Sequence, residues 1–181
     1  MKSGNLLNQE TVKDVIVLEI GQETSLVQRM ANEHMLFCNE LAWGMDGLVR
    51  QCINHEPAWP IELEHAIDLT EEAVMPLAPK FADAHELVLQ GPGGSLIATT
   101  LQACGISQPV LTLDEVEALF NRLVAVSQGR PANQETLPTN VRFVGALLIL
   151  REFMHHLRIA VVTLPIQGLT NFSLKASEKY Q

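Results

Sequence analysis

The stretch from about Thr139 to His156 constrains this chain more than any other, because it reads as a helix with apolar residues on nearly every side. Phe143, Leu147, Leu150, Met154 and Leu157 recur at three- and four-residue spacing, while Val144, Leu148 and Ile149 cover the other flanks. A helix of that kind must be enclosed, either at the centre of its own domain or in an interface shared with a second subunit. Its strongest apolar run, Phe143 to Leu150, is far short of the roughly 20 residues that span a bilayer. The expectation is self-association through Phe143, Leu147, Leu150, Met154 and Leu157.

Further helices are predicted around it. Cys38, Leu41, Met45, Leu48 and Cys52 alternate spacings of three and four, which predicts one long helix over about 24–54, capped by Thr24 or Ser25 and stopped by Pro57. Pro60 suits the first turn of another helix, with Leu63, Ile67, Thr70, Val74 and Leu77 on its stripe and Pro76 ending it near Met75. A short helix over 96–104 stops at Gly105. Thr112-Leu-Asp-Glu115 is a capping box opening a helix to about Val126, since the hydroxyl and the carboxylate each satisfy a free backbone N–H.

Short strands fit Leu87–Leu89 and Ile159–Thr163. The β-branched run from Val15 to Ile20 suits a strand or a helix equally. These elements predict a mainly α fold, a single-domain irregular bundle of five to six helices with minor strands. If Val15–Ile20 is a strand, the alternative is α+β. With 181 residues, 47% of them hydrophobic, one domain over 1–181 is expected, with a polar loop at 128–138 and a frayed tail at 175–181.

Charge narrows the partners. Residues 1–90 carry 15 of the 21 acidic and 5 of the 12 basic side chains, and such a surface repels phosphate backbones and anionic membranes. No direct nucleic-acid or membrane binding is expected; a protein partner, of basic character, fits better. The odd count of three cysteines and the lack of a contiguous charged and apolar leader predict a cytoplasmic protein.

Three constellations could carry chemistry. Gln90-Gly-Pro-Gly-Gly-Ser95 leads into a helix, where backbone N–H groups attract anions, making Gly91, Gly93, Gly94 and Ser95 a candidate anion site. No lysine follows it, so a flexible turn with Ser95 as N-cap is the plainer expectation. His34, Cys38, Cys52 and His55 have residue types that suit zinc, provided the chain reverses near Gly44–Gly47. Glu62/His65 and Glu152/His155 are Glu-x-x-His pairs of the kind that ligate two metals in helical bundles, with Glu33 and Glu117 as further carboxylates. Helical phase turns Glu152 away from its apolar stripe, so exposed side chains are expected instead.

No motif for a nucleophile or a cofactor stands out, and no cofactor is expected. The leading functional expectation is therefore a non-enzymatic interaction or regulatory module that self-associates. The alternative is a small metal- or anion-binding enzyme or sensor.

Overall fold

The computed structural model describes residues 14–32, 34–82 and 86–165. Its elements run β1 (Asp14–Ile20), β2 (Ser25–Ala31), β3 (His34–Leu41), α1 (Met45–Cys52), α2 (Pro60–Val74), β4 (Glu86–Gln90), α3 (Gly91–Ala103), β5 (Val110–Thr112), α4 (Leu113–Ser127), α5 (Val141–His156) and β6 (Val161–Thr163). The strands form one mixed sheet in the order β3-β2-β1-β4-β6-β5. The first three make an antiparallel meander, β4 lies parallel to β1 and β6 parallel to β4, and β5 pairs antiparallel with β6. The fold is α+β, which corrects the mainly α expectation in favour of its alternative.

The correction has a local cause. Residues 24–54 are two strands and a short helix, so Cys38 and Leu41 belong to β3 while only Met45, Leu48 and Cys52 share a face of α1. The β-branched run of β1 is settled as a strand by pairing on both sides, with β2 and β4.

Helix α5 is the hub of the helical layer. It packs against α1, α2, α3 and α4, and Phe143, Leu147, Leu150, Met154 and Leu157 are all buried within their own chain. These residues are core, so the expected self-association surface is not available on them. The same core takes in Ile16, Leu18 and Ile20 of β1, Leu87 and Leu89 of β4 and Val162 of β6, the alternate residues of each strand. Among the described residues no helix is long and apolar enough to cross a membrane. The expected frayed tail, 175–181, lies outside the described residues.

Candidate functional site

The parallel neighbours β1 and β4 end together, Glu19 beside Gln90. In α/β sheets the carboxyl ends of such strands border the crevice where ligands sit. The chain leaves the two strands in different ways. After β1, the carbonyls of Gly21, Gln22 and Glu23 accept hydrogen bonds from the amides of Gly44, Met45, Asp46 and Gly47, at 2.7 to 3.1 Å. The β1–β2 turn thereby saturates the N-terminus of α1, and a side chain at Gly44 would collide with the Gly21 carbonyl. Arg50 pairs with Glu23 over this turn, its hydrogen bond holding that carboxyl below its usual pKa. Arg142 joins Asp46 at 2.6 Å and ties the start of α5 to α1.

After β4, α3 begins at once. Gln90 is its N-cap in extended conformation, and no side chain caps the helix. Gly91 adopts φ +79°, where an added Cβ would also lie 2.8 Å from the Ile20 carbonyl and from Cγ of Glu19. A Cβ on Gly93 would run into the Ile20 side chain, and one on Gly94 would stand 3.0 Å from Cγ of Leu89. The glycines thus let the helix start press directly onto the ends of β1 and β4. The result is an uncapped helix N-terminus, with its dipole and amide donors, at the strand ends.

Ser95 is exposed in the first turns of α3 rather than at its N-cap, because the helix starts at Gly91. Glu19, exposed at the end of β1, is the nearby carboxylate. No lysine or arginine occurs between Lys80 and Arg122, so β4 and α3 bring no cationic side chain of their own to this end of the sheet.

Neither Glu19 nor the seats formed by Ile20 and Leu89 stand out in the sequence. The available signal is the order strand, glycine-rich segment, helix in Glu86 to Ala103, which places glycines where close backbone approach is needed.

The other candidates are dispersed. His34 and Cys38 lie exposed on edge strand β3, Cys52 is buried in α1, and the Nδ1 of His55 sits 2.8 Å from Oε1 of Glu62. No group of three or more metal-ligating side chains occurs among the described residues. Glu33 lies outside them.

Glu62 and Glu152 are buried, against the expected exposure. Burial is the strongest single influence on Glu62 and opposes its ionisation. The amides of Trp59 and Asn54 together with the His55 ring outweigh it and hold the pKa at about 2. Glu152 is fully buried between Arg151 and His156, while His155 reaches Glu117 at 2.8 Å. A depression of about 530 Å³ beside Thr100, Cys104 and Thr136 has Glu135 in its lining. That carboxylate is already occupied by Arg122 and by the amides of Thr136 and Leu137, which hold its pKa at about 2.

No known family model matches the chain, and no curated protein matches it. Its fold is shared with solved structures of phosphatases. A Ppx/GppA phosphatase from Aquifex aeolicus superposes with a TM-score of 0.66 at 12% identity, over 86% of this chain and 54% of that one. An exopolyphosphatase from Cytophaga hutchinsonii gives 0.62 at 14% identity, over 85% and 54%. An exopolyphosphatase-like protein gives 0.62 at 9%, over 88% and 57%. The chain spans about half the length of these proteins, and the likeness is one of fold.

Proposed function

We propose that this chain is an anion-binding enzyme domain that holds a phosphate-type oxyanion at the start of α3, on the free amides of Gly91 and Gly93, with Gly94 and the exposed Ser95 beside it. This replaces the reading as a non-enzymatic, self-associating module, whose apolar helix is buried and whose structural neighbours are enzymes. The observation that carries it is the fit of three glycines against Glu19, Ile20 and Leu89, which seats an uncapped helix N-terminus at the ends of β1 and β4. The phosphatase and exopolyphosphatase names of the neighbours support phosphate as the anion. Glu19 is the group we assign to proton removal: water attacks phosphorus, Glu19 takes its proton, and the P–O bond to the leaving group breaks. The three free cysteines suit a reducing compartment, the cytoplasm.

Titration with orthophosphate and tripolyphosphate by calorimetry, together with phosphorus NMR of hydrolysis, tests this. Saturable binding is expected, and Ser95→Glu should abolish it without unfolding, because a carboxylate in the first turns favours the helix while repelling the ligand. Glu19→Gln should keep binding and lose hydrolysis. No saturable binding up to the millimolar range, or unchanged binding in folded Ser95→Glu, would overturn the reading.

A further inference from the structure

His55 lies between the end of α1 and the start of α2, apart from the glycines of α3. Its Nδ1 sits 2.8 Å from Oε1 of Glu62, whose side chain is 9% exposed, while the imidazole itself is 43% exposed. Glu62 is held in turn. It stands in the first turn of α2, and its oxygens accept from the amides of Asn54 and Trp59 at 2.9 Å. The Trp59 ring stacks on the imidazole, with centroids 3.6 Å apart and planes within 10° of parallel. Two separate contacts therefore fix the orientation of a partly exposed ring.

The hydrogen on that ring is placed by its partner. An ionised carboxylate only accepts hydrogen bonds, and Glu62 is ionised near neutrality. In the neutral imidazole the hydrogen accordingly sits on Nδ1 and the lone pair on Nε2. Nε2 of His55 has no hydrogen-bond partner among the described residues. His156 differs, because its Nε2 already faces Glu152 at 3.1 Å and Glu71 at 4.0 Å. An imidazole held by a carboxylate on one nitrogen and free on the other is the arrangement that orients histidine for attack.

The surroundings select the electrophile. From Gln51 to Pro79 the chain carries six acidic residues and no lysine or arginine. Arg50, in the last turn of α1, is paired with Glu23. Local charge of this sign disfavours anionic reagents, phosphate esters among them. Trp59, 55% exposed, offers aromatic surface beside the imidazole, which suits a flat apolar group.

We propose that His55 is a nucleophilic centre that takes acyl groups from uncharged aryl esters. Nε2 attacks the carbonyl carbon, the bond from that carbon to the phenolic oxygen breaks, and the phenolate leaves with its electron pair. The Nδ1 hydrogen stays bonded to Glu62, whose negative charge balances the acylated ring. Water then adds to the acyl carbon and releases the carboxylic acid and an imidazolium, which returns its extra proton to solvent. Glu62 acts through His55 as a positioning residue, and Trp59 supplies the surface for the aryl group.

The test uses the full chain and p-nitrophenyl acetate. Release of p-nitrophenolate should exceed that given by free imidazole at the same concentration, and should fall roughly tenfold or more in His55→Gln. Peptide mass spectrometry of the quenched reaction should find the acetyl group on His55. Nitrogen NMR of the neutral ring should show the hydrogen on Nδ1, and a mixture of tautomers in Glu62→Gln, a change that a merely structural role for Glu62 would not produce. The proposal is overturned by release no faster than with free imidazole, by undiminished release from His55→Gln, or by a wild-type ring that carries its hydrogen on Nε2.

Discussion

Gly93 and Gly105 illustrate how one residue type answers two different physical demands. Gly105 has φ +83° with open space around the missing side chain, so only its backbone conformation asks for glycine. Gly93 has an ordinary φ but no room, because Ile20 fills the place of its Cβ. Gly93→Ala is therefore expected to lower stability by about 1–3 kcal/mol, as overpacking does, and to displace the start of α3. Urea denaturation measures the first effect and phosphate titration the second.

The two carboxylates with pKa near 2, Glu62 and Glu135, act at the same scale. Their folded-state values lie below the ordinary glutamate value of 4.5, so the stability they contribute is complete above about pH 4.5 and is lost as pH falls toward 2. Glu135→Gln should cost about 2 kcal/mol at neutral pH and flatten the acid limb of the stability profile, measured by thermal melts across that window.

Among the elements, α4 is readable without any tertiary information, because its start is written in one tetrad. Thr112 accepts from the amide of Glu115, and the carboxylate of Glu115 accepts from the amide of Thr112. Thr112→Ala should cost about 1 kcal/mol in a denaturation experiment. The start of α2 at Pro60 and the extent of α5 are readable for similar local reasons.

Strands β2 and β3 are not. β2 carries a register shift at Arg29/Met30, and β3 is an edge strand whose residues are mostly exposed, so neither shows clean alternation. Their apolar residues fall by chance into a helical spacing continuous with α1. For α5, Leu147→Ala should lower stability by about 2–5 kcal/mol and leave the subunit count unchanged in native mass spectrometry. A change of subunit count would contradict its place in the core.

At the scale of the whole molecule, binding and stability are linked. If tripolyphosphate binds the folded chain alone, a hundredfold excess over Kd adds about 2.7 kcal/mol and raises Tm by about 5–10 °C. Thermal melts of wild-type and Ser95→Glu protein should differ in this shift. The sequence by itself determined what depends on neighbours along the chain: the caps, the proline-set helix starts, the all-round apolar character of α5 and the glycine-rich entry to a helix. Only the tertiary structure decided that α5 is enclosed by its own chain, and that Ile16 lies beside Leu87 in a parallel pair. It also decided that the glycines of α3 rest on Ile20 and Leu89, with Glu19 at hand. The reason is physical. Helical hydrogen bonds and caps close within a few residues, so their signals are local, whereas strand pairing and close backbone approach join distant segments whose partners no local pattern names.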